Sequence, residues 1–284
     1  MRIHAIQTGV VQIKASQLNG RGHGLARRLA PLVDDTWTPW LPTFAWVIEH
    51  PEGIILVDTG ASTRLQSLPR WHPYFRKAVR FEIETEQEVG PQLKAMGLGP
   101  KDVKQVVLTH LHIDHDAGLS AFPHSEVLVS RREIEQASGL AGRIRGYLSE
   151  RWPRWFDPKP LDLLSEPYGP FAHSRRLTVS GDVIVVPTAG HTPDHVSIIV
   201  EDGETSVFLA GDVSYNERNM LQGQIDGISP DEGAAMGTLK LIREFAATRP
   251  TIFLPTHDPH SAQRLAQRQI TRAWAEAPSE QVAD

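Results

Sequence analysis

The stretch LTHLHIDHDAGL, residues 108–119, sets His110, His112, Asp114, His115 and Asp116 within seven consecutive positions. Neutral imidazole and ionised carboxylate are ordinary ligands of a divalent cation, at about 2.0–2.2 Å. Structural histidines usually stand singly, and here three of the chain's 13 fall within six positions. Crowded at the end of an apolar strand, such groups would turn lone pairs on one another with no donor between them. A metal ion removes that conflict. His110 and His112, two apart in an extended segment, point the same way and can grip one ion. Asp114 and His115 lie beyond the strand and have to turn toward a second.

Composition narrows the chemistry further. The chain has 284 residues and no cysteine, so disulfides and thiolate metal sites are excluded and any metal is held by imidazole and carboxylate. A net charge of -5 disfavours a non-specific binder of nucleic acid or of anionic membranes. The N-terminal MRIHAIQTGVVQIKA lacks the pattern of a signal peptide, and no run approaches the roughly 18 apolar residues of a membrane span. The expectation is a cytoplasmic protein.

The elements that must carry the cluster alternate along the chain. Apolar runs at 44–48 and 54–57 flank EHPEG and read as a hairpin. In TEQEVGPQLKAMG, Thr85 and Glu88 are spaced as a capping box, Val89, Leu93 and Met96 form an apolar stripe, and Gly97 ends the helix. QVVLTH is the strand that delivers the opening motif, followed by a strand in SEVLVS and a short helix in RREIEQAS. DVIVVPTAGH, VSIIVEDGETSVFLAGD and TIFLPTHD are strands running into His191, Asp212 and His257. In SPDEGAAMGTLKLIREFAA, Ser229 and Glu232 are spaced as a capping box, Pro230 takes the first helical position, and Met236, Leu239, Ile242 and Phe245 form the buried stripe. A last helix is expected over about 262–275. Strands and helices recur in similar order in both halves, which implies two sheets back to back, each covered by helices, in a single domain over 1–284.

Two segments rich in proline and aromatic residues, 36–44 and 142–171, lack either periodicity. They read as irregular packing or a homodimer contact, or as an apolar lid over a pocket. In the second reading Trp37, Trp40, Phe44, Trp152, Trp155 and Phe156 are the candidate pocket residues.

The 108–119 stretch resembles the HxHxDH signature of the metallo-β-lactamase fold superfamily, and TAGHTPDH, LAGDVSY and LPTHD follow it in the family's order. The resemblance covers essentially the whole chain. It implies an α/β fold, an αββα sandwich of two mixed sheets flanked by helices. It also implies two divalent ions, one held by His110, His112 and His191 and the other by Asp114, His115 and His257, with Asp212 bridging. Zinc is the first choice, and iron, cobalt or manganese suits the same donors. The same resemblance implies that Asp58, in LVDTGAS, orients a ligand histidine.

Tyr215, three residues past Asp212, is placed as in the N-acyl-homoserine lactone lactonases, the quorum-quenching branch. That likeness implies a bridging hydroxide attacking the lactone carbonyl, Tyr215 stabilising the oxyanion and Asp114 passing a proton to the leaving alkoxide. Asp194 and Asp116 depart from the branch, standing where relatives carry glycine or another small residue. The alternatives are a hydrolase of another lactone, ester or thioester (pyridoxolactonase-like or glyoxalase II-like) and a non-hydrolytic iron protein of the same fold.

Overall fold

The structure is a computed structural model and describes residues 1–272. Strands alternate their side chains between two faces, and here both faces are apolar because each sheet is covered twice. The first sheet holds β1 (Arg2–Ile13), β2 (Leu41–His50), β3 (Gly53–Val57), β4 (Val79–Glu82), β5 (Val103–Val107), β6 (Glu126–Val129) and β7 (Lys159–Pro160). Their order is β4-β1-β2-β3-β5-β6-β7, antiparallel up to β3 and parallel from β3 to β7. The second sheet holds β8 (Arg175–Arg176), β9 (Val183–Pro187), β10 (Val196–Asp202), β11 (Thr205–Gly211) and β12 (Thr251–Pro255), in the order β12-β11-β10-β9-β8. Only β11 and β12 pair in parallel there. Both sheets are therefore mixed.

Phe44, Trp46 and Ile48 of β2 face Val196, Ile198 and Val200 of β10 across the space between the sheets, in one continuous apolar core. The intervening Ala45 and Val47 point outward, onto Val89 and Leu93 of a helix over the first sheet. Ile199 likewise points outward, toward Leu239, Ile242 and Phe245 of a helix over the second. Helix, sheet, sheet and helix form the four layers expected.

The helices in chain order are α1 (Ala15–Leu18), α2 (Gly24–Val33), α3 (Pro73–Lys77), α4 (Val89–Ala95), α5 (Ile113–Asp116), α6 (Arg131–Ala137), α7 (Gly139–Ile144), α8 (Glu217–Gln222), α9 (Glu232–Thr248) and α10 (Ser261–Ala266). Two caps differ from expectation. A 3₁₀ turn over Thr85–Gln87 precedes α4, capped by Glu84 and Gln87, because Glu88 turns away to accept from Thr63. At α9 the cap is Asp231, which accepts from the Ala234 amide, because Ser229 is bonded to Asp226. The stripe of α9 also ends short: Leu239, Ile242 and Phe245 are buried, whereas Met236 is 52% exposed. The helix expected over 262–275 is shorter: α10 ends at Ala266, residues 267–272 are not helical, and residues 273–275 lie outside the described residues.

Candidate metal centre

Strand β9 runs antiparallel to β10, which runs antiparallel to β11, and β11 is parallel to β12. The three ends Pro187, Gly211 and Pro255 therefore open at one edge of the sheet, and His191, Asp212 and His257 follow them. From the first sheet, β5 ends at Val107 and delivers His110 and His112, and α5 turns Asp114 and His115 back toward them. Gly211 is required at its position. Its φ is +60°, and a Cβ there would lie 2.6 Å from His195 Nε2.

Seven side chains meet at this edge. His110 Nε2 and His191 Nε2 each stand 3.0 Å from His112 Nδ1. Asp114 Oδ2 lies 3.4 Å from His257 Nε2. Asp212 reaches in both directions: Oδ1 is 3.3 Å from His115 Nε2, while Oδ2 is 3.3 Å from His257 Nε2 and 3.5 Å from His191 Nε2. His110, His112 and His191 form one group close enough to hold an ion, and Asp114, His115 and His257 another.

The outward nitrogens are already engaged. His115 Nδ1 is 2.8 Å from Asp58 Oδ2, His191 Nδ1 is 3.0 Å from Asp226 Oδ2, and His257 Nδ1 is 2.9 Å from the Pro42 carbonyl. Thr109 Oγ1 donates to Asp58 and so accepts from His110 Nδ1. Each of these four rings is anchored through Nδ1, which turns Nε2 toward the cluster. His115 Nε2 and Asp212 Oδ1 are buried and have no hydrogen-bond partner among the described residues, although they stand face to face. Imidazole nitrogens and carboxylate oxygens turned into one space are the donor set that divalent ions take, and these residues fit a pair of ions.

The electrostatics divides the five rings. Burial, with the neighbouring rings, pushes His110 and His112 well below the ordinary imidazole range and keeps them in the ligating form. Burial opposes charge on His115, His191 and His257 as well, but the neighbouring carboxylates outweigh it and raise all three above that range. Burial also opposes the charge on Asp212, and His257 and His115 outweigh it and hold the carboxyl well below its usual range, so binding of a cation here releases protons from these rings. Burial raises the Tyr215 phenol well above its usual range, so it keeps its proton. The Tyr215 ring stacks on His257 with centroids 5.5 Å apart.

A cavity of about 330 Å³ opens over this floor. Its apolar lining includes Val11, Ile13, Phe75, Val79 and Ile113, which pack in one cluster, together with Leu25, Leu29, Ile144 and Tyr147.

The comparisons with known proteins accord with this geometry. The model of the metallo-beta-lactamase superfamily matches residues 38–257, which include all seven converging side chains. The chain belongs to the metallo-β-lactamase superfamily. Among members of that superfamily it is similar to an N-acyl homoserine lactonase from Azorhizobium caulinodans, 26% identical over 91% of this chain and 94% of that one. An N-acyl homoserine lactonase from a Bacillus species is 28% identical over 80% and 86% of the two chains. The fold matches a solved N-acyl homoserine lactone hydrolase with N-hexanoyl-L-homoserine bound at its catalytic metal centre, at a TM-score of 0.73. That match has 22% identity over 92% of this chain and 94% of the other.

The expected pocket residues lie elsewhere. None of Trp37, Trp40, Phe44, Trp152, Trp155 and Phe156 lines the cavity. Phe44 is consumed by the inter-sheet core, and Trp152, Trp155 and Phe156 pack on the outer face of the first sheet. Lys14 and Arg80 cover the Trp37 ring, while Trp40 is 37% exposed. The departing Asp116 has a role in this packing, accepting from Trp152 Nε1 at 2.6 Å. His195 accepts from the Asp212 amide and fixes that turn.

Sequence reasoning missed Asp226 and Glu133. Asp226 sits in a loop with no periodicity, where DG signals only a turn. Glu133 is fully buried on α6, accepting from the Leu111 amide and the Tyr147 hydroxyl. Nothing local distinguishes it from the neighbouring exposed charges of that helix.

Proposed function

We propose that this protein is a lactonase that opens the ring of N-acyl-homoserine lactones with two divalent ions, zinc being the first choice for a set of five imidazoles and two carboxylates. One ion belongs with His110, His112 and His191, the other with Asp114, His115 and His257, and Asp212 between them. Such ions, when bound, supply Lewis acidity and bring water toward ionisation at neutral pH.

The observation that carries the reading is the place of Tyr215: 4% exposed, still protonated, stacked on His257 and lining an apolar-walled cavity over the cluster. A phenol there donates to a carbonyl oxygen as it becomes an oxyanion. Asp114 also lines the cavity and is placed to carry a proton to the leaving alkoxide. In sum, water's oxygen bonds to the carbonyl carbon, the ring C–O bond breaks, one water proton reaches the alkoxide, and the new acid ionises. The likeness to N-acyl homoserine lactonases over most of the chain supports the same substrate class.

The test is pH-stat titration of acid release from homoserine lactones, β-lactams, thioesters and phosphodiesters with metal-replete protein. Ring opening of homoserine lactones is expected to be fastest; no lactone turnover, with brisk cleavage of another class, overturns the reading.

A further inference from the structure

One side-chain amide joins two phenols on the cavity floor. Gln17, on α1 and 2% exposed, places its Nε2 2.7 Å from the Tyr215 hydroxyl and 2.9 Å from that of Tyr74 on α3. All three residues line the cavity. The amide's orientation follows from what each choice leaves unpaired. With nitrogen between the phenols, both N–H bonds are used and only the buried Oε1 lacks a partner among the described residues. With oxygen there, two N–H bonds would be orphaned, and a buried unpaired donor is the rarer defect.

The consequence concerns the phenol protons. Each phenol oxygen accepts from Gln17, and neither donates to any group among the described residues. A phenol with its ordinary pKa of about 10 is protonated at neutral pH, so both hydroxyls carry a proton. Two donors with free protons therefore face one cavity. For an amide's 120° between N–H bonds, the phenol oxygens stand roughly 5 Å apart.

We propose that Tyr74 is a second proton donor toward substrate, held beside Tyr215 by Gln17. The pair selects substrates carrying a second oxygen acceptor close to the reacting carbonyl. An acylamino group on the carbon next to that carbonyl is the chemistry that fits. Its amide oxygen reaches on the order of 4–5 Å from the ester carbonyl oxygen. Tyr215 meets the reacting oxygen and Tyr74 the amide oxygen, while Gln17 positions both without touching substrate. The assignment rests on the reading of Tyr215 as oxyanion donor and goes beyond it in giving the acyl amide its own partner.

The experiment uses two matched pairs. One is a γ-butyrolactone with a hexanoylamino group next to the carbonyl, against the same lactone with the amide replaced by methylenes. The other is the corresponding pair of phenyl esters. For wild type, kcat/KM is expected to favour the amide-bearing member at least tenfold; Tyr74→Phe should compress that ratio below threefold, mainly through KM, with metal content unchanged. Gln17→Glu, equal in shape but only an accepting group, should ensnare both phenol protons and lower kcat at least 30-fold. A second measurement needs no turnover: by calorimetry, wild type should bind N-hexanoyl-homoserine at least tenfold more tightly than the matched hydroxy acid lacking the amide. An unchanged ratio in Tyr74→Phe, equal binding of the two acids, or an undiminished kcat in Gln17→Glu overturns the assignment. Turnover of esters but of no lactone overturns the lactonase reading, and the ester ratio still decides Tyr74. Turnover of neither pair overturns both.

Discussion

Asp58 Oδ2 lies 2.8 Å from His115 Nδ1, while Oδ1 accepts the Thr109 amide at 2.8 Å. One buried carboxylate thus sets the ring of one candidate ligand and the backbone that precedes another. It does so from a left-handed conformation, φ 59°, which asparagine tolerates better than most residues. Asp58→Asn keeps the shape and loses the charge that makes His115 basic. Its metal affinity is expected to fall 10- to 100-fold. Competition with a chromogenic chelator, alongside circular dichroism to check folding, measures this.

Tyr215→Phe removes one hydroxyl and leaves every candidate ligand in place. The expected result is a loss of roughly 10- to 1,000-fold in kcat, with both ions retained by metal analysis. Unchanged turnover removes Tyr215 from the chemistry.

Much of the cavity lining is aliphatic or aromatic, beside Arg28, Arg145 and Gln136, so acyl chains laid on the apolar part should gain about 0.8 kcal/mol per methylene buried. That is roughly a fourfold rise in kcat/KM for each added methylene until the chain leaves the cavity. A series of homoserine lactones from butanoyl to decanoyl gives the slope.

Trp152 should not affect that slope. Replacing it with phenylalanine leaves the buried Asp116 carboxylate without its donor, and a loss of about 1–3 kcal/mol in stability is expected. Thermal melts read the loss, and an unaltered chain-length slope confirms that this ring packs outside the cavity.

Asp34 gives a pH signature. Amides of Thr36 and Ser16 donate to it, and these bonds lower its carboxyl from 3.8 to about 2. Native chains keep it charged where unfolded chains protonate it, so its contribution is complete above about pH 4 and lost as pH falls toward 2. The gap in melting temperature between wild type and Asp34→Asn should close across that window. A gap undiminished at pH 2 contradicts the assignment.

The seven converging side chains were legible because each follows an apolar strand, and strands that end at one edge of a layered fold deliver their next residues together. The same logic failed for the aromatic segments. Trp152, Trp155 and Phe156 offer as much apolar surface to the back of a sheet as to a cavity, and only the path of the chain decides between them. Gln17, Tyr74, Glu133 and Asp226 were not legible at all. Their partners lie across the fold or on another element, and no local spacing marks them. Caps were the other loss: Ser229 and Glu88 have the right chemistry for helix starts, but each is claimed by a tertiary hydrogen bond.

Arg27 is 1% exposed on α2 and donates to the backbone carbonyls of Asp226 and Ser229. The same helix offers Leu25 and Leu29 to the cavity, and the same loop holds His191 through Asp226. Rewriting α2 to welcome a differently shaped guest is therefore not a change of lining alone. Unless Arg27 and the 226–229 loop travel with it as a cassette, the exchange would trade a new fit for a loosened imidazole.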